Sequence, residues 1–279
     1  MEVAFEMNDN RKLQEVILFI AKEINKICVL NGINYSLDGG SLLGAIRHKG
    51  FIPWDDDFDI AMKRTEYEKF IKVCDEAIDK DVFHMQTSDN TLHYAFAFAK
   101  VHLQHTEIIE DFSKNANVHH GIFLDIFPYD NLPDNYVIRK IYLFANHILK
   151  NMIWVKCGYG SERAKRRVSY ILFKILSRPF AVNQLKSMRK RLLNLYNGRK
   201  TKYAFTADYP QNAIPNVWFD KMKKYDFEDT SFCGFFYAHD YLTMVYGDYM
   251  KLPPEEERVV HSKYKIDYGP YEYGLPADE

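Results

Sequence analysis

The sequence predicts an α/β (α+β) protein, a mixed sheet with flanking helices joined to a basic helical subregion. Three observations carry that prediction. Apolar residues recur at the helical interval near the N-terminus, several short segments before residue 132 alternate like strands, and the stretch from about 135 to 200 becomes helical and basic.

Leu13, Ile17, Ile20, Ile24 and Ile27 share one helical stripe, with Asn/Asp before them and Gly32 after, so the spacing predicts a helix over 11–31. INYSL (33–37) reads as a short strand, and GGSLLGAIRH turns through glycines into a brief helix. DFDIAM (57–62) has strand character and ends at Lys63-Arg64. Thr65-Glu66-Tyr67-Glu68 predicts a capping box, opening a helix whose apolar face is Phe70, Ile71, Cys74 and Ile78. VFHMQTS (82–88) and HYAFAFAKVHL (93–103) alternate as a strand pair. GIFLDIF (121–127) predicts another strand, closed by the turn PYDNLPD. The C-terminal part is aromatic and turn-rich.

The composition, 47% hydrophobic and 27% charged over 279 residues, allows a sizeable core. With 37 basic against 38 acidic residues, bulk charge predicts no polyanion partner, and nucleic acid is not expected because no reading motif accompanies the charge. Its distribution is uneven: residues 161–200 hold twelve Lys/Arg and one acid, Glu162, a local balance of +11. Cys28, Cys74, Cys157 and Cys233 lie far apart without metal-ligand spacing, as buried thiols of a reducing compartment do. The N-terminus MEVAFEMNDN is acidic where a signal peptide is basic, and no apolar stretch reaches the ~18 residues of a membrane span. These features predict a cytoplasmic protein.

The stretch GFIPWDDDFDIAM carries the chemistry. On a strand, Asp57 and Asp59 point one way while Phe58 and Ile60 point into the core, so two carboxylates can grip a divalent cation from one strand. Asp125 is opposite in phase to Ile122, Leu124 and Ile126 on an otherwise apolar strand, where a carboxylate needs a partner. If the two strands are neighbours, three carboxylates converge; hard oxygen ligands favour Mg²⁺ or Mn²⁺ and suit phosphoryl transfer. Asp55 and Asp56 precede the strand as turn, cap or helper residues. Gly39-Gly40-Ser41 at a helix start can offer backbone N–H groups to phosphate. Arg47, His48 and Lys49 follow as a basic set, and Lys100, in an apolar alternating strand, needs an anion.

Residues 39–60, from Gly39-Gly40-Ser41 through Trp54-Asp55-Asp56-Asp57-Phe58-Asp59-Ile60, closely resemble the signature of the LicD family of phosphocholine transferases, to which fukutin-like proteins are related. The likeness continues through Lys100, Thr106 and Gly121-Ile122-Phe123-Leu124-Asp125-Ile126-Phe127-Pro128. It returns in Tyr246-Gly247-Asp248-Tyr249-Met250-Lys251-Leu252-Pro253-Pro254 with Glu257, Arg258 and His261.

The resemblance implies a polymerase-β-like nucleotidyltransferase fold and transfer of phosphocholine from CDP-choline to a sugar hydroxyl of a surface glycopolymer or its lipid-linked precursor, of teichoic acid or lipopolysaccharide type, with release of CMP. Relatives use other CDP-linked alcohols such as ribitol or glycerol. It further implies that Asp57, Asp59 and Asp125 form the catalytic metal site, and that Gly39, Gly40, Ser41, Arg47, His48, Lys49, Trp54 and Lys100 bind substrate. A choline headgroup calls for aromatic neighbours, and Trp54 and Tyr129 adjoin the motifs. His119-His120 adjoin the Asp125 strand, either in contact with substrate or as a surface pair. Alternatives are a sugar-nucleotide glycosyltransferase, which would not need the Gly-Gly-Ser turn or Asp125, and a non-catalytic glycopolymer-binding protein, which would not need a complete acidic triad.

On this reading residues 1–132 are a nucleotidyltransferase-like core, 133–202 a basic helical subregion, and 203–279 a segment packing back on the core as one integrated domain. SYILFKILSRPF, flanked by Ala164-Lys165-Arg166-Arg167 and Lys186 to Arg191, suits peripheral contact with anionic membrane through 161–200, at the inner face of the plasma membrane; a solvated helix face is the alternative.

Overall fold

The structure, a computed structural model, describes residues 7–209, 213–258 and 263–275. The N-terminal apolar stripe forms α1 (Met7–Leu30). It buries Leu13, Ile17, Ile20, Ile24 and Ile27. β1 (Ser36–Leu37) leads through Asp38 into α2 (Gly39–Arg47). β2 (Asp59–Lys63) runs directly into α3 (Arg64–Ala77). The strands β3 (Phe83–Gln86), β4 (Ala99–Leu103), β5 (Glu107–Glu110) and β6 (Phe123–Asn131) follow.

The main sheet runs β1-β2-β6-β4-β3, with β2 and β6 parallel and the other pairs on this path antiparallel. α4 (Tyr136–Lys156), α5 (Glu162–Lys165), α6 (Val168–Leu176) and α7 (Val182–Asn194) form the helical subregion. The chain then re-enters the sheet as β7 (Tyr203–Thr206), which pairs with β6 and with β8 (Ile214–Pro215). A hairpin of β9 (Met222–Phe227) and β10 (Thr230–Phe235) precedes α8 (Ala238–Tyr246), and β11 (Lys263–Asp267) pairs with β5.

One large core joins α1, the sheet faces and the C-terminal aromatics. Phe58 sits edge-on to Phe227 and Phe232 at ring separations of 5.3 and 5.2 Å, so the C-terminal hairpin packs on the strand carrying the aspartates. Cys28, Cys74 and Cys157 are buried and Cys233 partly so; all four are free thiols.

Several expected details differ. Thr65-Glu66-Tyr67-Glu68 does not act as a capping box, because α3 starts two residues earlier, at Arg64, and its cap position, Lys63, makes no side-chain cap. Glu66 instead accepts from the backbone of Asn34 at 2.9 Å. Residues 93–98 are not strand, so only the second half of HYAFAFAKVHL pairs with β3. The sequence Pro128-Tyr129-Asp130-Asn131 continues β6 rather than turning. Pro128 falls between the part of β6 paired with β4 and the part paired with β7, where a missing N–H is tolerated.

Two of the basic residues expected on the helical surface face inward. Lys186 donates to the carbonyls of Ser88 (2.9 Å) and Thr91 (2.7 Å), and Arg189 is buried against Asp208 (2.7 Å) and Asn146 (3.0 Å).

Candidate active site

The parallel pairing of β2 and β6 puts Asp59 and Asp125 side by side in register. The antiparallel pairing of β4 and β6 sets Lys100 beside Asp125 on the other side. The regular strand begins at Asp59 rather than Asp57, yet the alternation extends back: Phe58 is buried, its carbonyl accepts from Asp125 N at 3.0 Å, and Asp57 lies on the side of Asp59. Asp57, Asp59 and Asp125 thus line one cleft of about 270 Å³, together with Asp38, Gly39, Phe127, Tyr129, Thr206, Tyr209 and Tyr241.

The acidic loop before β2 is braced from α1. The Asn10 amide donates to the carbonyls of Pro53 and Asp55, both at 2.9 Å, and the Gln14 amide donates to those of Ile52 (3.1 Å) and Asp55 (2.8 Å). These bonds tie the carbonyls of the loop to the first helix. They also fix Asp55, Asp56 and Asp57 so that one oxygen from each lies within 4.8 Å of the others. The sequence treats Asp55 and Asp56 as entrance residues. The fold packs them beside Asp57 as tightly as a cation site requires, with Asp56 itself buried.

The Gly-Gly-Ser turn locks onto the same strand. Asp38 N donates to Asp59 O at 2.9 Å, and Asp59 N donates to Ser41 Oγ at 2.9 Å. Gly39 takes φ +47°, in the left-handed region, and a Cβ on Gly40 would stand 2.6 Å from Asp55 Oδ2, so a side chain at Gly40 would have to push the Asp55 carboxylate aside. Asp38, which sequence reasoning left out of the site, is a buried carboxylate in the cleft. It accepts from Tyr129 Oη at 2.9 Å, from Gly39 N at 3.1 Å and from the Tyr241 hydroxyl. Its signal in the sequence is confined to its place before Gly-Gly; two of its three donors, Tyr129 and Tyr241, come from far along the chain.

Electrostatics follow from burial. Desolvation pushes Asp59 well above the usual carboxylate range, and the charges of Asp57, Asp125, Asp38 and Asp55 push it further. Burial raises Asp125 to about 7, against the pull of Lys100. Lys100 Nζ stands 2.8 Å from Asp125 Oδ1 and 3.1 Å from Oδ2, donating to Oδ2, and it lies over the Phe123 ring at 3.1 Å. Burial also raises Asp38, although three donors pull it down. Among the described residues, Lys100 is the ammonium that faces Asp125 in this acidic group.

The residues present fit a hard divalent cation. Every candidate ligand is a carboxylate oxygen, and one oxygen each of Asp55, Asp56 and Asp57 lies within 4.8 Å of the others.

Other expected site residues lie elsewhere. Arg47 and Trp54 line a second cavity of about 550 Å³, which also touches Gly40, Asp55, Tyr246, Asp248, Tyr249 and Glu257. Arg47 donates to Tyr249 O at 2.7 Å, and Arg258 stacks over Trp54 at 4.5 Å. The C-terminal Asp248, Glu257 and Arg258 therefore return to this cavity, whereas His261 lies outside the described residues. His48 and Lys49 sit past the far end of α2, roughly 12 Å along the helix from Gly39. His48 is edge-on to Trp54, and Lys49 is exposed in a left-handed turn of φ 62°, so neither lines the acidic cleft. His119 and His120 line a separate small cavity, where His119 stacks on His84 at 4.6 Å.

Comparison with known proteins gives this geometry its context. Residues 32–187 match the family model described as LicD/FKTN/FKRP, nucleotidyltransferase domain. The chain is 32% identical over 266 residues to the lipopolysaccharide cholinephosphotransferase LicD of Haemophilus influenzae, covering 90% of this chain and 95% of that protein. It is also 36% identical over 78 residues to the human ribitol 5-phosphate transferase FKRP, covering 22% of this chain and 16% of that protein. With the family model spanning more than half of the chain and a relative matched along nearly its whole length, the protein belongs to the LicD/FKTN/FKRP family of transferases with a nucleotidyltransferase domain.

Proposed function

We propose that the protein transfers phosphocholine from CDP-choline to a sugar hydroxyl of a cell-surface glycopolymer or its lipid-linked precursor, releasing CMP. The observation that carries this reading is the convergence of Asp57, Asp59 and Asp125 on one cleft beside the Gly-Gly-Ser turn. Similarity along nearly the whole chain to a lipopolysaccharide cholinephosphotransferase supports phosphocholine as the group moved. The cleft also has an aromatic side of Phe127, Tyr129, Tyr209 and Tyr241, facing carboxylates, which suits a quaternary ammonium.

Mg²⁺ or Mn²⁺ held by Asp57 and Asp59, with Asp55, Asp56 or Asp125 within the same acidic group, would neutralise charge on the diphosphate. The chain's own groups do the rest. The acceptor hydroxyl attacks the phosphorus that bears choline, the new P–O bond forms, and the P–O bond to CMP breaks. Asp125, with its affinity for a proton raised to near neutrality, takes the hydroxyl proton. Lys100 holds Asp125 in place, and Gly40 and Ser41 bring the start of α2 against the donor phosphates. A second headgroup, ribitol phosphate, is favoured by the partial match to ribitol 5-phosphate transferase.

The test incubates the protein with Mg²⁺, a hexosamine-containing acceptor and either CDP-choline or CDP-ribitol, and follows CMP. CMP release dependent on CDP-choline and on acceptor is expected. Release from CDP-ribitol alone moves the assignment to the second headgroup, and no release from either donor refutes the reading.

A further inference from the structure

The helix α6 is amphipathic in the wrong direction for a core. Val168, Ile171, Leu172, Ile175 and Leu176 recur at i, i+3, i+4, i+7 and i+8, the stripe a globular helix normally buries. All five are about half exposed or more, from 48% at Ile171 to 73% at Val168, and no residue of the helix is fully buried. The inward contact is made by Phe173, which meets His147 of α4 edge-on at 6.0 Å. The adjacent helix repeats the pattern: Val137, Ile141 and Phe144 share one face of α4 and are 63–64% exposed. Single exposed aliphatics need no explanation, but a full stripe on one helix beside a second on its neighbour does.

The charge around the stripe selects what covers it. Arg163, Arg166 and Arg167 precede α6, Lys174 lies within it and Arg178 follows, all exposed. The one acid in the segment, Glu162, is paired with Lys165 at 2.9 Å. A second copy of this face would bring these cations against their own kind, whereas an anionic surface would meet them with opposite charge. No helix among the described residues is long and apolar enough to cross a membrane.

We propose that the outward faces of α6 and α4 form a docking surface for an anionic lipid bilayer, with the aliphatic stripe of α6 seated at the headgroup boundary and Arg163, Arg166, Arg167, Lys174 and Arg178 on the lipid phosphates. The segment that carries the docking charge is narrower than the basic run of 161–200, since Lys186 and Arg189 are occupied inside the fold. This inference does not depend on which headgroup the cleft transfers.

The test is flotation of the full chain with vesicles of phosphatidylcholine alone and with phosphatidylglycerol mixed in. Binding is expected to the anionic vesicles and to weaken as salt is raised. Arg166→Glu with Arg167→Glu, and separately Leu172→Asp with Ile175→Asp, are each expected to lower binding at least tenfold, roughly as two lost charge or apolar contacts dictate. Leu30→Asp, on an exposed apolar residue at the end of α1 and outside these helices, is expected to bind as the parent does. The substituted positions are exposed, so thermal melts should match the parent. Failure of the parent to bind anionic vesicles, or binding by both double variants that equals the parent's, overturns the proposal. Concentration-dependent dimers that Leu172→Asp with Ile175→Asp abolishes, in a parent that ignores vesicles, would assign the face to a second copy instead.

Discussion

Replacing Asp59 by Asn is expected to abolish transfer and, in metal-free buffer, to stabilise the fold. Asp59 sits beside Asp125 on the neighbouring parallel strand, and adjacent strands are ~4.8 Å apart. Two carboxylates roughly 5 Å apart repel by about 3 kcal/mol at an effective dielectric of about 20. Burial first, and then Asp57, Asp125, Asp38 and Asp55, hold Asp59 above its unfolded pKa, so the folded state binds the proton more tightly. Stability of the parent therefore falls as pH rises from about 4, the unfolded value, towards the folded one.

The amide of the Asp59→Asn variant would carry no charge to repel, while keeping nearly the same volume and the backbone N–H that Ser41 accepts. For a chain of this size about 3 kcal/mol corresponds to about 6 °C in Tm. Circular-dichroism melts in EDTA should show parent and variant alike near pH 4 and the variant higher by that order near pH 8. Adding Mg²⁺ should close the gap by stabilising the parent, because a ligand that binds the native state raises its stability. A variant less stable than the parent at pH 8 in EDTA, or a gap that does not change with pH, would refute the electrostatic account and make the cluster structural.

Three other outcomes follow from the same geometry. Asp125→Asn should reduce transfer by at least two orders of magnitude, the usual scale of a general base, and Lys100→Met should move the rising limb of the pH–rate profile above about 7, because Lys100 now holds Asp125 down; a limb unmoved by Lys100→Met would separate Asp125 from proton transfer. Gly40→Ala drives a Cβ to 2.6 Å from Asp55 Oδ2, so activity should drop more than tenfold while Tm shifts by only a few degrees, the carboxylate being able to swing away. Tyr241→Phe removes a donor from buried Asp38 and should cost about 1–3 kcal/mol near neutral pH in urea unfolding, and less at about pH 3, below the unfolded carboxylate value.

Local signals carried far in this chain. The stripe of Leu13, Ile17, Ile20, Ile24 and Ile27 is legible because a helix turns every 3.6 residues, and the burial of Phe58 and Ile60 is legible because a strand alternates. The Gly-Gly-Ser start of α2 was equally plain. The misreadings came where a distant partner overruled a local preference. Thr65 and Glu68 fit a cap in sequence, but β2 runs straight into α3, and Lys63 is held by Asn131 and by Asn216. Pro128 looked like a strand end until β7 arrived to pair with the residues after it.

The sequence by itself determined the apolar periodicities, the Gly-Gly-Ser turn and the existence of an acidic site. All of these depend on residues within one turn or a few strand positions of each other. Only the tertiary structure decided that β2 and β6 run parallel in register, which is what puts Asp59 beside Asp125. It alone brought Tyr129 and Tyr241 onto Asp38, drew Asn10 and Gln14 under the acidic loop, and turned Lys186 and Arg189 inward while leaving the stripe of α6 outside. The physical reason is that periodicity records which side of an element is apolar, whereas the register of two strands and the partner of a buried charge are set by packing between segments far apart in the chain.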